Sequence, residues 1–212
     1  GVAHEINNPL GGIVALSHLL LEDLKPGDKE RENIEKIAKE SLRCREIVKG
    51  LLDFARQTEP KIGPANVNNI IEETLSLVGK QVIFQNIVVK KFYHPDLPLI
   101  MLDKMQIQQA FTNIILNAVE AMKGNGELIL ETGFTQDKKF IKIQIKDTGP
   151  GIHSEILNKI FDPFFTTKEA GKGTGLGLAI TYGIIEKHDG RIYVETTLGN
   201  GANFIIELPV SR

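Results

Sequence analysis

The chain has 212 residues, room for one large domain or two modest ones. Its hydrophobic fraction of 42% and charged fraction of 25% are ordinary for a soluble globular protein. A net charge of −2 gives no reason to expect nucleic acid or an anionic membrane as a partner. No apolar run approaches the ~18 residues of a bilayer span, and no signal peptide is present.

Residues 1 to about 57 read as two helices. In the first, Val2, Ile6, Pro9, Ile13, Leu16 and Leu20 form an apolar seam, and Lys25-Pro26-Gly27-Asp28 makes the turn. In the second, Ile34, Ile37, Ser41, Cys44, Val48, Leu51 and Ala55 alternate spacings of three and four, the pattern of helices packed at a shallow angle. Cys44, the single cysteine, rules out an internal disulfide, fits a reducing compartment and reads as a small buried apolar residue. Two helices alone bury too little surface, so the expectation is a homodimer whose four helices share one core.

His4 falls at an outward heptad position. A neutral imidazole is nucleophilic near physiological pH, since its reference pKa is about 6.5. Glu5 can orient the ring or take its proton. Pro9 is expected to bend the helix just beyond. His18 lies two heptads on, on the same face, and periodicity does not separate the two. It lacks an acidic neighbour and reads as a surface histidine. His94, His153 and His188 share no metal-like spacing.

The polar segment from Gln57 to Pro64, twice interrupted by proline, reads as a linker. After it the spacing predicts helix over 68–79, a strand from Ile87 to Phe92, and a long amphipathic helix from Asp103 to Met122 with Asp103 as N-cap. Strands follow at 127–134 and 140–146. In the latter Ile141, Ile143 and Ile145 alternate with Lys142, Gln144 and Lys146. A helix at 176–188 precedes two strands, 191–196 and 203–208, joined by a turn at Leu198-Gly199-Asn200-Gly201. Neighbouring strands without intervening helices predict an α+β sandwich, with helices on one face of a mixed sheet.

Three stretches of this second part carry chemistry. Asn113 and Asn117 lie one turn apart on a helix face. An amide oxygen suits Mg²⁺, and an amide NH₂ can donate to phosphate; two solvated helix asparagines are the plainer alternative. Asp147-Thr148-Gly149-Pro150-Gly151 follows a strand, where glycines let the backbone turn and approach a ligand closely; an Asx turn fits as well. Gly171-Lys172-Gly173-Thr174-Gly175-Leu176-Gly177 opens a helix and frees its N–H groups for phosphate oxygens. It is neither a Walker loop nor a dinucleotide fingerprint. Between the last two motifs, Phe161, Phe164 and Phe165 stand within five residues, which a hydrophobic loop anchor would explain.

Together with His4-Glu5-Ile6-Asn7-Asn8-Pro9, these motifs resemble the catalytic core of a sensor histidine kinase of the nitrogen-regulation type. The likeness covers nearly the whole chain. It implies a dimerisation and phosphotransfer hairpin at 1–57, a linker at 58–66, and a catalytic domain of the ATPase superfamily that includes DNA gyrase and the heat-shock chaperone at 67–212. It implies ATP and Mg²⁺ as cofactors, with Asn113, Asn117, Asp147, Gly149, Gly151, Lys168, Gly173, Thr174, Gly175, Leu176 and Gly177 around the nucleotide and Asn117 on the metal. Asp147 would accept from the adenine amine, and the phenylalanine segment would be a lid. His4 would take the γ-phosphate and pass it to an aspartate of a response-regulator receiver domain. In the family's Glu-x-x-Asn/Thr pattern, Asn8 would hold the water that dephosphorylates the regulator. The alternative is an ATPase of that superfamily with a conformational gate, but such enzymes carry a glutamate where Asn113 stands. The chain reads as a cytoplasmic fragment without membrane contact of its own, a reading that leaves room for an upstream sensor or membrane segment outside it.

Overall fold

The computed structural model describes residues 2–55, 60–79, 84, 86–168 and 173–211, without the side chains of residues 2–4, 46, 49 and 53–55. The imidazole of His4, the side chains of Val2 and Ala55, the Gln57-Thr58-Glu59 part of the linker, and Gly171 and Lys172 of the glycine motif therefore lie outside the described residues. The chain divides into two compact units. One comprises Gly1–Gln57 with Phe164–Leu176, the other Thr58–Pro163 with Gly177–Arg212.

The first unit contains a helical hairpin. Helix α1 spans Val2–Asp23 and α2 spans Lys29–Ala55, with α1 continuous through Pro9. The turn forms where expected: Gly27 takes φ +100°, and the Asp28 carboxylate accepts from the Lys25 N–H at 3.0 Å. Arg31 closes the end of α1 by donating to the carbonyls of Leu21 and Leu24 at 2.9 and 2.8 Å. These are last-turn acceptors with no partner inside the helix.

The seam inside the hairpin differs from the one predicted. Ser17, Ala38 and Ser41 are buried, with Leu10, Val14, Leu21, Ile34 and Val48 half-buried. Ile6, Ile13, Leu16 and Leu20, the expected α1 seam, remain exposed, and so do Ile37, Cys44 and Leu51. Cys44 is thus not the buried residue anticipated. The reason is that each helix carries two apolar rows, whereas one partner helix covers a single stripe.

The second unit is an α+β sandwich of the expected kind. A five-stranded mixed sheet has the order β2-β4-β5-β7-β6, from Asn86–Tyr93 (β2), Asn125–Phe134 (β4), Phe140–Asp147 (β5), Arg191–Thr196 (β6) and Ala202–Pro209 (β7). Among the described residues β2 and β4 pair in parallel, and the other pairings of this sheet are antiparallel. On β5, Ile141, Ile143 and Ile145 are buried while Lys146 stays exposed, as strand alternation dictates. Helices α3 (Val67–Val78), α4 (Lys104–Ala121) and α5 (Gly177–Lys187) form the second layer. Helix α4 packs against α3, α5, β4 and β5 and buries Ile107, Phe111, Ile114 and Ile115 completely.

A further ribbon, Gly63–Ala65 (β1) against Ile100–Leu102 (β3), was not foreseen. Part of the expected linker is therefore a strand. Three-residue strands are too short for alternation to reveal. The junction is held by Asp103, which is 7% exposed. Its Oδ1 caps α4 by accepting from Met105 and Gln106 N–H, and its Oδ2 accepts from Lys61 N–H at 2.7 Å. Its own N–H donates to Nε2 of buried His188 at 2.9 Å, while His188 Nδ1 donates to Ile184 O, which fixes the neutral Nδ1–H tautomer.

Asp103→Ala should remove both a helix cap and the acceptor of the Lys61 N–H, costing about 2 kcal/mol in urea denaturation. Asp103→Asn, which keeps the Oδ1 acceptor, should cost less than half as much. Equal losses for both would mean that the cap contributes little.

Candidate functional site

The candidate residues of the second unit gather along one face of α4. Asn113, Asn117 and Ala121 follow one another at four-residue intervals, a row about 12 Å long at 1.5 Å per residue. At one end the Asn113 side chain donates to the Gly177 carbonyl at 3.0 Å and lies 3.3 Å from the Thr181 hydroxyl. At the other end Gly149 abuts Ala121: a Cβ on Gly149 would stand 3.5 Å from the Ala121 Cβ. The row thus runs from the first residue of α5 to the loop after β5.

The Gly177 end presents the start of an eleven-residue helix. Its carbonyl is turned inward and held twice, by Asn113 Nδ2 and by Thr181 Oγ1 at 2.9 Å. Its helix N-terminus suits an anion. Thr181 was not singled out in the sequence. The available signal was a hydroxyl one turn after Gly177, directly following the apolar run Leu178-Ala179-Ile180.

At the Gly149 end Asp147 is 3% exposed. Its Oδ1 accepts from the Gly149 N–H at 2.8 Å and the Ala202 N–H at 3.4 Å. The Asx turn anticipated for this stretch is therefore present, with Oδ1 serving both backbone donors. Burial holds the Asp147 carboxyl above the ordinary aspartate range, and the two N–H donors pull it part of the way back. The loop tolerates no side chain at Gly149, where a Cβ would lie 2.8 Å from Asp147 Oδ1. Gly151 takes φ +76° with its Cα side against Thr197 O.

The β6–β7 turn supports this loop from behind. Gly199 N–H donates to Pro150 O at 2.7 Å, and Ile152 N–H donates to Thr196 Oγ1 at 3.0 Å. Thr196 Oγ1 in turn donates to Gly201 O at 2.8 Å. Gly201, at φ +80°, packs its α-carbon against the Asp147 carbonyl. Sequence reasoning took Leu198–Gly201 only as a turn and missed that it backs the carboxylate.

Before α5, Phe161 packs its ring on Tyr182 at 5.6 Å between centroids. Phe164 is exposed and takes φ +67°. In the first unit, Gly175 adopts φ +68° against the Phe164 backbone, Leu176 N–H donates to Thr174 Oγ1, and Lys168 is exposed. On α1, Glu5, Asn8 and His18 are exposed.

The comparisons bear on both units. The family model described as histidine kinase-, DNA gyrase B-, and HSP90-like ATPase matches residues 102–212, and that of the His Kinase A (phospho-acceptor) domain matches residues 1–60. The chain is 34% identical over 211 residues to the sensor histidine kinase ZraS of Escherichia coli strain K12, covering 100% of this chain and 44% of that protein. It is 36% identical over 211 residues to sporulation kinase A of Bacillus subtilis, covering 99% of this chain and 34% of the relative. The chain thus spans less than half the length of these curated relatives. Among solved structures, histidine kinase ThkA in complex with the response regulator protein TrrA matches with TM-score 0.72 and 30% identity, over 99% of this chain and 60% of that one. Full-length ShkA in complex with AMPPNP matches with TM-score 0.75 and 26% identity, over 98% of this chain and 44% of that one.

Asp147 gives a prediction with a sign. Its folded pKa is raised, so the ionised carboxylate costs stability at neutral pH, and that cost disappears as pH falls through the folded pKa. Asp147→Asn should therefore unfold no earlier than the parent at pH 7, with any advantage shrinking at lower pH. A variant that is less stable at pH 7 than at pH 4, relative to the parent, would contradict the assignment.

Proposed function

Because this chain belongs to the histidine kinase-, DNA gyrase B- and HSP90-like ATPase family and joins that fold to a His Kinase A hairpin, we propose that it is a protein-histidine kinase core. ATP lies along the Asn113–Asn117–Ala121 row. Its adenine amine meets Asp147, and its phosphates lie toward the opening of α5. The observation that carries this reading is the row itself, which links a buried acceptor to a helix N-terminus across one face of α4.

Mg²⁺ fits this donor set. The Asn117 amide oxygen is a hard ligand, and Mg²⁺ takes most of its remaining ligands from phosphates and water. Bound there, the ion would neutralise charge on the transferring phosphate. Gly149, Gly151, Lys168, Gly173, Thr174, Gly175 and Leu176 complete the nucleotide surroundings in this reading.

The chemistry balances simply. An imidazole nitrogen of His4 bonds to the γ-phosphorus as the bond to the β–γ bridging oxygen breaks, ADP departs with that electron pair, and Glu5 takes the ring proton. An aspartate carboxylate of a receiver domain then displaces His4 from phosphorus, giving an acyl phosphate. Asn8, one turn after His4 and exposed, holds the water that later hydrolyses it. The relative ThkA is solved with a response regulator, which supports a receiver domain as partner. The open apolar rows Ile6, Ile13, Leu20 and Ile37, Cys44, Leu51 support a homodimer. No helix among the described residues is long and apolar enough to cross a membrane; we assign the reaction to the cytoplasm, where ATP is available.

A gated ATPase is the competing reading, and position 113 speaks against it. Water activation there needs a carboxylate, whereas Asn113 acts as a donor to the Gly177 carbonyl. A glutamate could not make that bond at neutral pH.

His4→Gln should abolish incorporation of label from γ-labelled ATP while nucleotide affinity is unchanged. Labelling that survives in this variant and disappears with His18→Gln would move the phosphoacceptor. Asn8→Ala should leave His4 labelling intact and slow release of phosphate from a phosphorylated receiver by on the order of 10²-fold. Parallel loss of both activities would instead point to a local structural role before Pro9.

A further inference from the structure

Glycine is, after proline, the residue least suited to a helix interior. Helix α2, Lys29–Ala55, nevertheless contains Gly50. A Cβ at Gly50 would come within 2.8 Å of Leu176 Cδ1, with Leu176 Cβ and Cγ at 3.6 and 3.8 Å. Leu176 is 1% exposed, so that methyl group has little free space to swing into. Gly11 and Gly12 of α1 provide the contrast, since a Cβ on either meets nothing within 4 Å. Gly50 is therefore a slot filled by one particular side chain.

Both residues belong to the first compact unit, which combines the hairpin with Phe164–Leu176. The end of this segment is stiffened locally. Gly175 takes φ +68°, and a Cβ there would strike the Phe164 carbonyl oxygen at 2.6 Å, so Gly175 lies directly on the Phe164 backbone. The Leu176 N–H turns back to Thr174 Oγ1 at 3.4 Å. Leu176 thus enters the Gly50 slot from a backbone whose preceding residue is packed on Phe164.

We propose that Gly50 is a positioning residue for phosphoryl transfer. Its missing side chain forms the seat for Leu176, and the seated leucine ties the glycine segment assigned to the nucleotide phosphates to the helix pair that carries His4. The proposal rests on the kinase reading above. It separates two steps, because Gly50 itself lies outside the residues assigned to the nucleotide, whereas transfer needs donor and acceptor held in register.

The test is a double-mutant cycle on the full chain with Gly50→Ala and Leu176→Val. Gly50→Ala should leave affinity for a fluorescent ATP analogue within about twofold and reduce the His4 labelling rate at saturating ATP by about tenfold. Its thermal midpoint should shift little, because alanine's helix preference offsets the cost of displacing the leucine methyl. Leu176→Val removes the clashing Cδ1, so adding Gly50→Ala to it should cause little further loss of rate. Parental labelling in Gly50→Ala would overturn the proposal. So would the same tenfold loss in the Leu176→Val background, or a loss confined to nucleotide affinity. Failure of the unchanged chain to bind the analogue would overturn the kinase reading together with the slot.

Discussion

The hydrogen bond from Asn113 to the Gly177 carbonyl is the constraint around which the candidate site is organised. It joins the middle of α4 to the first residue of α5, two helices far apart in sequence. Thr181 shares the same carbonyl from one turn further along α5. The first carbonyl of α5 is thereby committed inward, and the helix axis is set against α4. An anion placed at the start of α5 would meet a helix end whose direction is already fixed. Fixed dipoles need no reorganisation when charge arrives, which is why they stabilise it well.

The opposite end of the row works by burial. Asp147 sits at the end of the central strand β5 with one oxygen occupied by two backbone donors. A desolvated carboxylate with an open second oxygen selects strongly for a donor, because a ligand without one leaves the acceptor unpaired. The raised pKa reflects the same burial. Holding the group there requires glycine at positions 149 and 201, where side chains would displace the carboxylate or its backbone. The placing of this carboxylate thus rests on backbone conformation as much as on the side chain itself.

The helical hairpin obeys a different economy. Its internal contact is made by small residues, Ser17, Ala38 and Ser41, which let α1 and α2 approach closely. The larger apolar side chains, Leu16, Leu20 and Ile37 among them, are left on open faces. Gly50 extends the use of small residues toward the end of α2, where it receives Leu176.

Much of this was legible in the amino-acid sequence. Periodicity locates α4 and β5, Asp103 announces the cap of α4, and paired asparagines, an aspartate before two glycines and a glycine-rich helix opening mark the candidate site. These signals are local, since capping, alternation and turn chemistry act over a few residues. Tertiary structure alone decided which of two apolar rows closes the hairpin, that Cys44 lies on the outer row, that Arg31 and His188 secure element ends, and that Gly201 backs Asp147. It also decided that Asn113 serves Gly177. Each of these depends on groups brought together from distant segments, and no pattern within a single segment carries the identity of a partner 64 residues away.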